Sequence, residues 1–330
     1  PASVQKYAIA LAALHYFGYQ FRFSTEFYMD KNNELGIRGH GDPFLVSEEW
    51  QKIAKKLSEL PAMPKLLQGL FFDTSLFEEN IRIPGISYSL NPYDAHNGAL
   101  VVNFNTIYLK VDKNNVISSA EKQTPLTPLA KHLGKNLTSG VHRISIPLDS
   151  SFAYAGELLQ SIFLMHGLSF KKKNVSLRKV SPDGKLIYRH YNNMTLQNMI
   201  AGMMLYSNNF IANQLLLTIG MERFGPPASL KKGRTAVQEY LKKELRISSD
   251  QFHIAEGSGI SRKNRLTPDA VLLMLKAFLP YQHLLPREKK IPYKTGTLMG
   301  VYSMAGYLST SDPLYFVILL NQKVNHREKI

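Results

Sequence analysis

Residues 4–17 are apolar nearly all round, with Tyr7-Ala-Ile-Ala-Leu-Ala-Ala-Leu14 at their centre. A helix without a polar face belongs inside a large core. Ala8, Ala10, Ala12 and Ala13 let neighbouring elements come close, and Gly18 marks the stop. The period then changes. Phe21–Tyr28 is aromatic-rich and reads as a strand, the glycines of 36–41 read as a break, and helical spacing returns over 46–60, capped at Ser47 or beside it. Leu100, Val102, Phe104 and then Ile107, Leu109, Val111 alternate, which predicts a hairpin or bulged strand pair around Asn103–Asn105. Residues 113–140, polar with prolines and glycines, read as long loops. A helix over 155–167 follows, then two short strands in 175–189 around the turn Pro182-Asp183-Gly184.

A second helical block comes next. Thr195 caps a helix through Met199 and Met203 to Tyr206, another starts near Ser207 and runs to Gly220, and a third covers 234–246. A fourth, over 267–279, opens with Thr267-Pro268, a cap followed by a first-turn proline. The chain then turns β over 293–297, 301–309 and 314–321, with Ser311-Asp312-Pro313 as the last hairpin turn. No repeat is visible. Helices and an antiparallel sheet thus come from the two ends of the chain, and a β-rich, loop-rich texture fills the middle. The expected class is α+β: one domain split between 1–35 and 186–330, and an inserted β-rich domain at 36–185.

At 330 residues the chain is long enough for two domains, or for one with a large insertion. Hydrophobic content of 44% and charged content of 20% describe an ordinary globular protein. No apolar run approaches the roughly 18 residues of a membrane-spanning helix. Because the chain starts at Pro1, already inside a motif, no secretory leader is expected in it. Cysteine is absent, which excludes disulfides, thiolate catalysis and Cys-ligated metal. The histidines lack metal-ligand spacing, so no metal and no cofactor is expected. Lys and Arg number 40 against 25 Asp and Glu, a formal +15. That excess suits an anionic neighbour such as cell-wall polymer, acidic lipid or nucleic acid. No zinc finger, ribonucleoprotein motif or basic coiled coil accompanies it, which argues against nucleic acid.

Three short strings occur in order: Ser3-Val4-Gln5-Lys6, Ser207-Asn208-Asn209 and Lys294-Thr295-Gly296. They read as S-x-x-K, S-x-N and K-T-G. S-x-x-K also occurs at Ser119/Lys122, Ser169/Lys172, Ser176/Lys179 and Ser229/Lys232, and S-x-N at Ser89/Asn91. Only Ser3 is followed by a long apolar helix, and K-T-G occurs once.

A serine hydroxyl is a weak nucleophile until a base takes its proton, and its acyl product needs donors for the oxyanion. Ser3 and Lys6 are three apart and share a helix face. A lysine base must be largely neutral, which desolvation and a nearby cation such as Lys294 promote. Ser207 can relay a proton to the leaving amine, and the Asn209 amide can hold Lys6 and a substrate oxygen. A strand through Lys294-Thr295-Gly296-Thr297 can pair with an extended peptide. Lys294 and Thr295 can bind a carboxylate, and the Thr297 N–H can join the Ser3 N–H at the oxyanion. Taken singly, each string has a plain structural alternative: a capping serine beside a solvated lysine, a helix cap, and a basic edge strand. Glu256-Gly-Ser-Gly-Ile-Ser-Arg262 reads as a structural turn that lines the site at most.

Beyond the three strings, the chain resembles the D-alanyl-D-alanine carboxypeptidase/endopeptidase family, the class C low-molecular-mass penicillin-binding proteins. The matching stretches include Pro1-Ala-Ser-Val-Gln-Lys6, Phe21-Arg22-Phe23, Gly41-Asp42-Pro43, Asn103-Phe104-Asn105, Tyr154-Ala-Gly-Glu157, Tyr206-Ser-Asn-Asn209, Gly257-Ser-Gly-Ile-Ser-Arg262 and Lys294-Thr-Gly-Thr297. The resemblance implies a β-lactamase/transpeptidase-like fold with an inserted domain. It implies Ser3 as the acylated nucleophile, Lys6 as its base, Ser207 and Asn209 in the proton network, and Lys294 on the terminal carboxylate. It also implies peptidoglycan peptides as substrates, β-lactams as acylating agents, no metal, and a periplasmic or extracellular location. Against the family pattern, the chain is expected to be a fragment: it starts inside the first motif and stops soon after its last strand. The region 285–294 and the domain nested in the insertion are also short. Two other readings stay open, a β-lactamase or esterase of the same superfamily and an inactive cell-wall binder.

Overall fold

The all-apolar run is a short 3-10 turn, Ala2–Gln5, leading into helix α1 (Lys6–Phe17), in which Lys6 to Leu14 are buried. Gly18 ends it at φ +81°, a conformation that costs glycine little, and donates to the Leu14 carbonyl. The computed structural model describes residues 1–87, 89–308, 314–327 and 329. Along them follow α2 (Ser47–Ser58), α3 (Pro128–Leu133), α4 (Ser151–Met165), α5 (Leu196–Leu205), α6 (Asn209–Phe224), α7 (Leu230–Lys243) and α8 (Pro268–Phe278). Thr127, Asn208, Ser229 and Thr267 cap α3, α6, α7 and α8 through their side chains.

The chain divides into two compact units. The first comprises 1–21, 80–86 and 194–330. Its sheet is antiparallel throughout, in the order Arg287–Glu288, Ile291–Leu298, Val301–Tyr307, Tyr315–Asn321. Helices α5, α6, α7 and α8 pack around α1, as an all-apolar helix requires. The Tyr7 hydroxyl, from α1, reaches the Ala305 carbonyl of the sheet at 3.0 Å. The expected turn at Ser311-Asp312-Pro313 lies outside the described residues.

The second unit comprises 22–79 and 87–193. Its main sheet is mixed, in the order Lys185–Tyr191, Ser24–Met29, Glu34–Gly39, Gly69–Asp73, Ser176–Leu177. The first two pairings are antiparallel and the last two parallel. A three-stranded antiparallel sheet runs Ile117–Ser119, Thr106–Val111, Gly140–Ser145. Trp50 and Ile53 of α2 and Leu158, Leu159 and Ile162 of α4 fill one core with Phe27, Ile37 and Phe72 of the main sheet.

These units correct several expectations. The glycines of 36–41 do not break the chain. Gly36 and Gly39 sit in a strand, where a Cβ would run into the Phe71 ring and the Ala99 carbonyl. That strand pairs with Ser24–Met29, so the second unit starts near residue 22, not 36, and ends near 193, not 185; residues 80–86 return to the first unit. Asn103–Asn105 is a tight turn with φ positive at all three residues, and the only strand of 99–111 is Thr106–Val111. The loops of 113–140 carry a strand and α3. The two strands of 175–189 do not pair with each other; they lie at opposite edges of the main sheet.

Candidate active site

The site begins with one tight turn of backbone. Ala2 takes φ +49°, and the 3-10 turn delivers Ser3 one turn ahead of Lys6, the first residue of α1. Lys6 Nζ lies 2.9 Å from Ser3 Oγ, 2.8 Å from Asn209 Oδ1 and 2.8 Å from the Ser258 carbonyl oxygen. The side chain is fully buried. Burial, and then the positive charge of Lys294, hold its pKa well below the usual lysine range, against an opposing pull from Glu256. A neutral amine has two N–H donors and one lone pair. Asn209 Oδ1 and the Ser258 carbonyl are fixed acceptors for the two donors. The lone pair is left facing the Ser3 hydroxyl, the arrangement of a base beside its nucleophile. The alternative of a capping serine and a solvated lysine fails: Ser3 makes no side-chain cap and Lys6 has no exposed surface.

The second string sits at the junction of α5 and α6. Ser207 takes φ +52°, and Asn208 caps α6 by accepting from the Ile211 N–H at 3.0 Å. Capping is therefore done by Asn208, and the Asn209 amide is left to reach Lys6. The half-buried Ser207 is not among the three partners of Lys6 Nζ.

The third string is the strand Ile291–Leu298, whose alternate residues Pro292, Lys294 and Gly296 face inward and are buried. Lys294 Nζ donates to the Thr295 carbonyl at 2.8 Å. Burial, and then the charge of Arg327, push its pKa down to about 8. A Cβ on Gly296 would come within 2.6 Å of the Ser3 amide nitrogen and would overlap Ser303 Oγ. Only glycine lets the strand lie this close to the Ser3 backbone. The Ser303 hydroxyl ties the same strand pair to the Pro1 carbonyl at 2.5 Å. Thr297 is exposed, and its Oγ1 accepts from Arg327 at 3.0 Å. The strand Arg287–Glu288 pairs only as far as Ile291 and Pro292. Beyond them this edge carries no strand among the described residues.

The Glu256–Arg262 turn does more than line the site. Its Ser258 carbonyl is one of the three partners of Lys6. The buried Glu256 carboxylate shapes the turn by accepting from Ser258 N (2.6 Å), Ser258 Oγ (2.7 Å), Gly259 N (2.8 Å), Ser261 N (3.3 Å) and Asn264 Nδ2 (2.6 Å). Gln5, between Ser3 and Lys6, donates to the Glu256 carbonyl. A backbone carbonyl leaves no mark on composition; the paired glycines around Ser258 are the sole signal for it. Three of the four competing S-x-x-K serines have other partners. Ser229 caps α7, Ser169 Oγ donates to the Lys65 carbonyl, and Ser119 Oγ to the Glu121 carbonyl.

The family model for the D-Ala-D-Ala carboxypeptidase 3 (S13) family matches residues 1–135 and 136–285. D-alanyl-D-alanine carboxypeptidase DacB of Haemophilus influenzae is 24% identical over 97% of this chain and 80% of its own length. Penicillin-sensitive carboxypeptidase A of Dictyostelium discoideum is 22% identical over 97% of this chain and 77% of its own length. The crystal structure of penicillin binding protein 4 from Haemophilus influenzae superposes with a TM-score of 0.78 at 22% identity, covering 98% of this chain and 85% of that one. That likeness shows the fold, an α+β transpeptidase-like unit carrying an inserted unit.

Proposed function

The chain belongs to the S13 family of D-Ala-D-Ala carboxypeptidases, and from that premise we propose that Ser3 is its nucleophile, Lys6 its base, and the strand through Lys294–Thr297 its peptide-binding edge. It is a serine DD-peptidase, acting on D-Ala-D-Ala bonds of peptidoglycan through an acyl-serine and open to acylation by β-lactams. The observation that carries the residue roles is the convergence on Lys6 Nζ of Ser3, Asn209 and Ser258, three places far apart in sequence.

The steps follow from the geometry. Lys6 Nζ takes the proton of Ser3 Oγ as the oxygen attacks the penultimate D-Ala carbonyl. The Ser3 and Thr297 N–H groups hold the oxyanion. Asn209 and the Ser258 carbonyl keep the protonated amine in place. The proton then passes through Ser207 to the departing amine, and the C–N bond breaks to release D-Ala. Ser207 is not among the partners of Lys6 Nζ, so this relay needs bound substrate to complete it. Lys294, with Thr295, holds the substrate's terminal carboxylate. In a β-lactam the same attack opens the ring, and the amine stays tethered.

Glu256 bears on the β-lactamase alternative. All of its hydrogen bonds are spent on its own turn, so it is not free to activate a deacylating water. We place the enzyme's work at the cell wall, in the periplasm or outside the cell. The formal +15 favours weak attraction to anionic envelope polymer. No helix among the described residues is long and apolar enough to cross a membrane. Labelled penicillin tests the reading. A long-lived adduct together with D-Ala release from a D-Ala-D-Ala peptide is expected; rapid turnover would mark a β-lactamase, and no adduct an inactive binder.

A further inference from the structure

Past the last strand the chain returns to the site. Arg327 Nη1 donates to Thr297 Oγ1 at 3.0 Å, to the Gly296 carbonyl at 3.3 Å and, at 3.5 Å, to the carbonyl of Ser303, the residue paired with Gly296 across the sheet. Thr295 and Thr297 project from one face of their strand, since side chains alternate. The guanidinium therefore lies over the Gly296–Ser303 pair on the face that carries the two threonine hydroxyls. Lys294 is the neighbouring residue on the opposite face, buried and aimed back at Thr295.

We infer that Arg327 is a second carboxylate-binding group, working with Lys294 and the hydroxyls of Thr295 and Thr297 to select substrates with an anionic end. The inference rests on the assignment of the Lys294–Thr297 strand as the peptide-binding edge. A guanidinium presents N–H groups in a planar fork that fits a carboxylate with two parallel hydrogen bonds, which a lysine cannot offer. A carboxylate at the threonine hydroxyls would meet Arg327 on the strand's outer face while Lys294 acts from beneath. The two cations also sense each other, since the charge of Arg327 helps hold Lys294 down. An anion between them relieves that repulsion, so the pair is poised for a negative ligand.

The test compares Arg327→Ala and Arg327→Lys with the wild type on three probes: benzylpenicillin, a D-Ala-D-Ala peptide and a carboxylate-free ester of similar size. Arg327→Ala should slow acylation by the two carboxylate probes by roughly 10- to 100-fold, the scale of a lost charge-assisted contact. Most of that should be in KM, and the neutral ester should lose at least roughly tenfold less. Arg327→Lys should fall between. The alkaline limb of the carboxylate-probe profile, set by Lys294, should move up in Arg327→Ala, because a neighbouring cation has gone. That shift follows from removing the charge whatever its role; the ratio of carboxylate-probe loss to neutral-ester loss is what a merely structural arginine would not move. Equal loss on all three probes, or no loss on any, would overturn the inference. Failure of the wild type to be acylated at all would sink the proposed function and this inference with it. Normal wild-type acylation with an unchanged probe ratio in Arg327→Ala would sink this inference alone.

Discussion

In the proposed mechanism two lysines have opposite tasks, and their surroundings differ to match. Lys6 is fully buried, and desolvation and then the charge of Lys294 hold its pKa well below the usual lysine range; Lys294 keeps a pKa of about 8 and stays mostly charged near neutrality. Lys6→Ala should cut acylation by roughly 10²–10⁴, the usual worth of a general base. The fold should survive, because alanine is the better helix former; stopped-flow acylation alongside circular dichroism would show both. A rate within roughly tenfold of wild type would exclude Lys6 as the base. The pH profile separates the two lysines. Lys6 works only when deprotonated, so acylation rises as pH rises through its lowered pKa. Lys294 binds carboxylate only when protonated, so acylation by carboxylate-bearing probes falls as pH rises through about 8. Penicillin and D-Ala-D-Ala peptides should therefore give a bell, and a neutral ester the rising limb with little of the falling one. Lys294→Ala should remove that difference between probes. An alkaline fall of equal size for the neutral ester would mean that Lys294 acts only through its field at Lys6.

At the scale of elements, the catalytic turn depends on backbone that approaches too closely for side chains. Gly259 has φ +90°, and a Cβ there would overlap the carbonyl oxygen of Ala2, next to Ser3. Gly18 has a similar φ of +81° but open space around it. Gly18→Ala should cost only the backbone strain, about 1 kcal/mol. Gly259→Ala should cost more, up to about 3 kcal/mol, and should also lower acylation by displacing Ser3. Urea melts and penicillin labelling of both variants would check this; equal melts and equal labelling would mean that the turn does not position the nucleophile. The same contacts explain what was legible in the sequence. The strings at Ser3, Asn209 and Lys294 and the all-apolar helix are local patterns, and they survive translation into structure. Gly36 and Gly39 misled because glycine signals both a turn and a tight packing site, and only the partner across the gap, Phe71 or Ala99, tells which. The strand Gly69–Asp73 escaped because a fully buried parallel strand shows no alternation. The Ser258 carbonyl and the place of Arg327 are products of tertiary folding, and no spacing announces either.

Over the whole molecule, the groups that meet at Lys6 come from residues 3, 209 and 258, and the strand that closes on Ser3 from residues 294–297. All lie in the unit built from both ends of the chain, and the unit of 22–79 and 87–193 is inserted between them. That split was readable as a change of texture along the sequence, but its boundaries were not, since they depend on which strands pair. The proposed attraction of the basic excess to anionic polymer acts at long range, and the proposed carboxylate site acts at contact. The central claim is that Ser3, held 2.9 Å from the buried Lys6 amine, is the residue that is acylated. Its most direct measurement is peptide mapping by mass spectrometry after reaction with penicillin. One adduct is predicted, on the peptide carrying Ser3, absent in Ser3→Ala and lost from no other site. An adduct on Ser119, Ser169, Ser176 or Ser229, or one that persists in Ser3→Ala, would contradict the account.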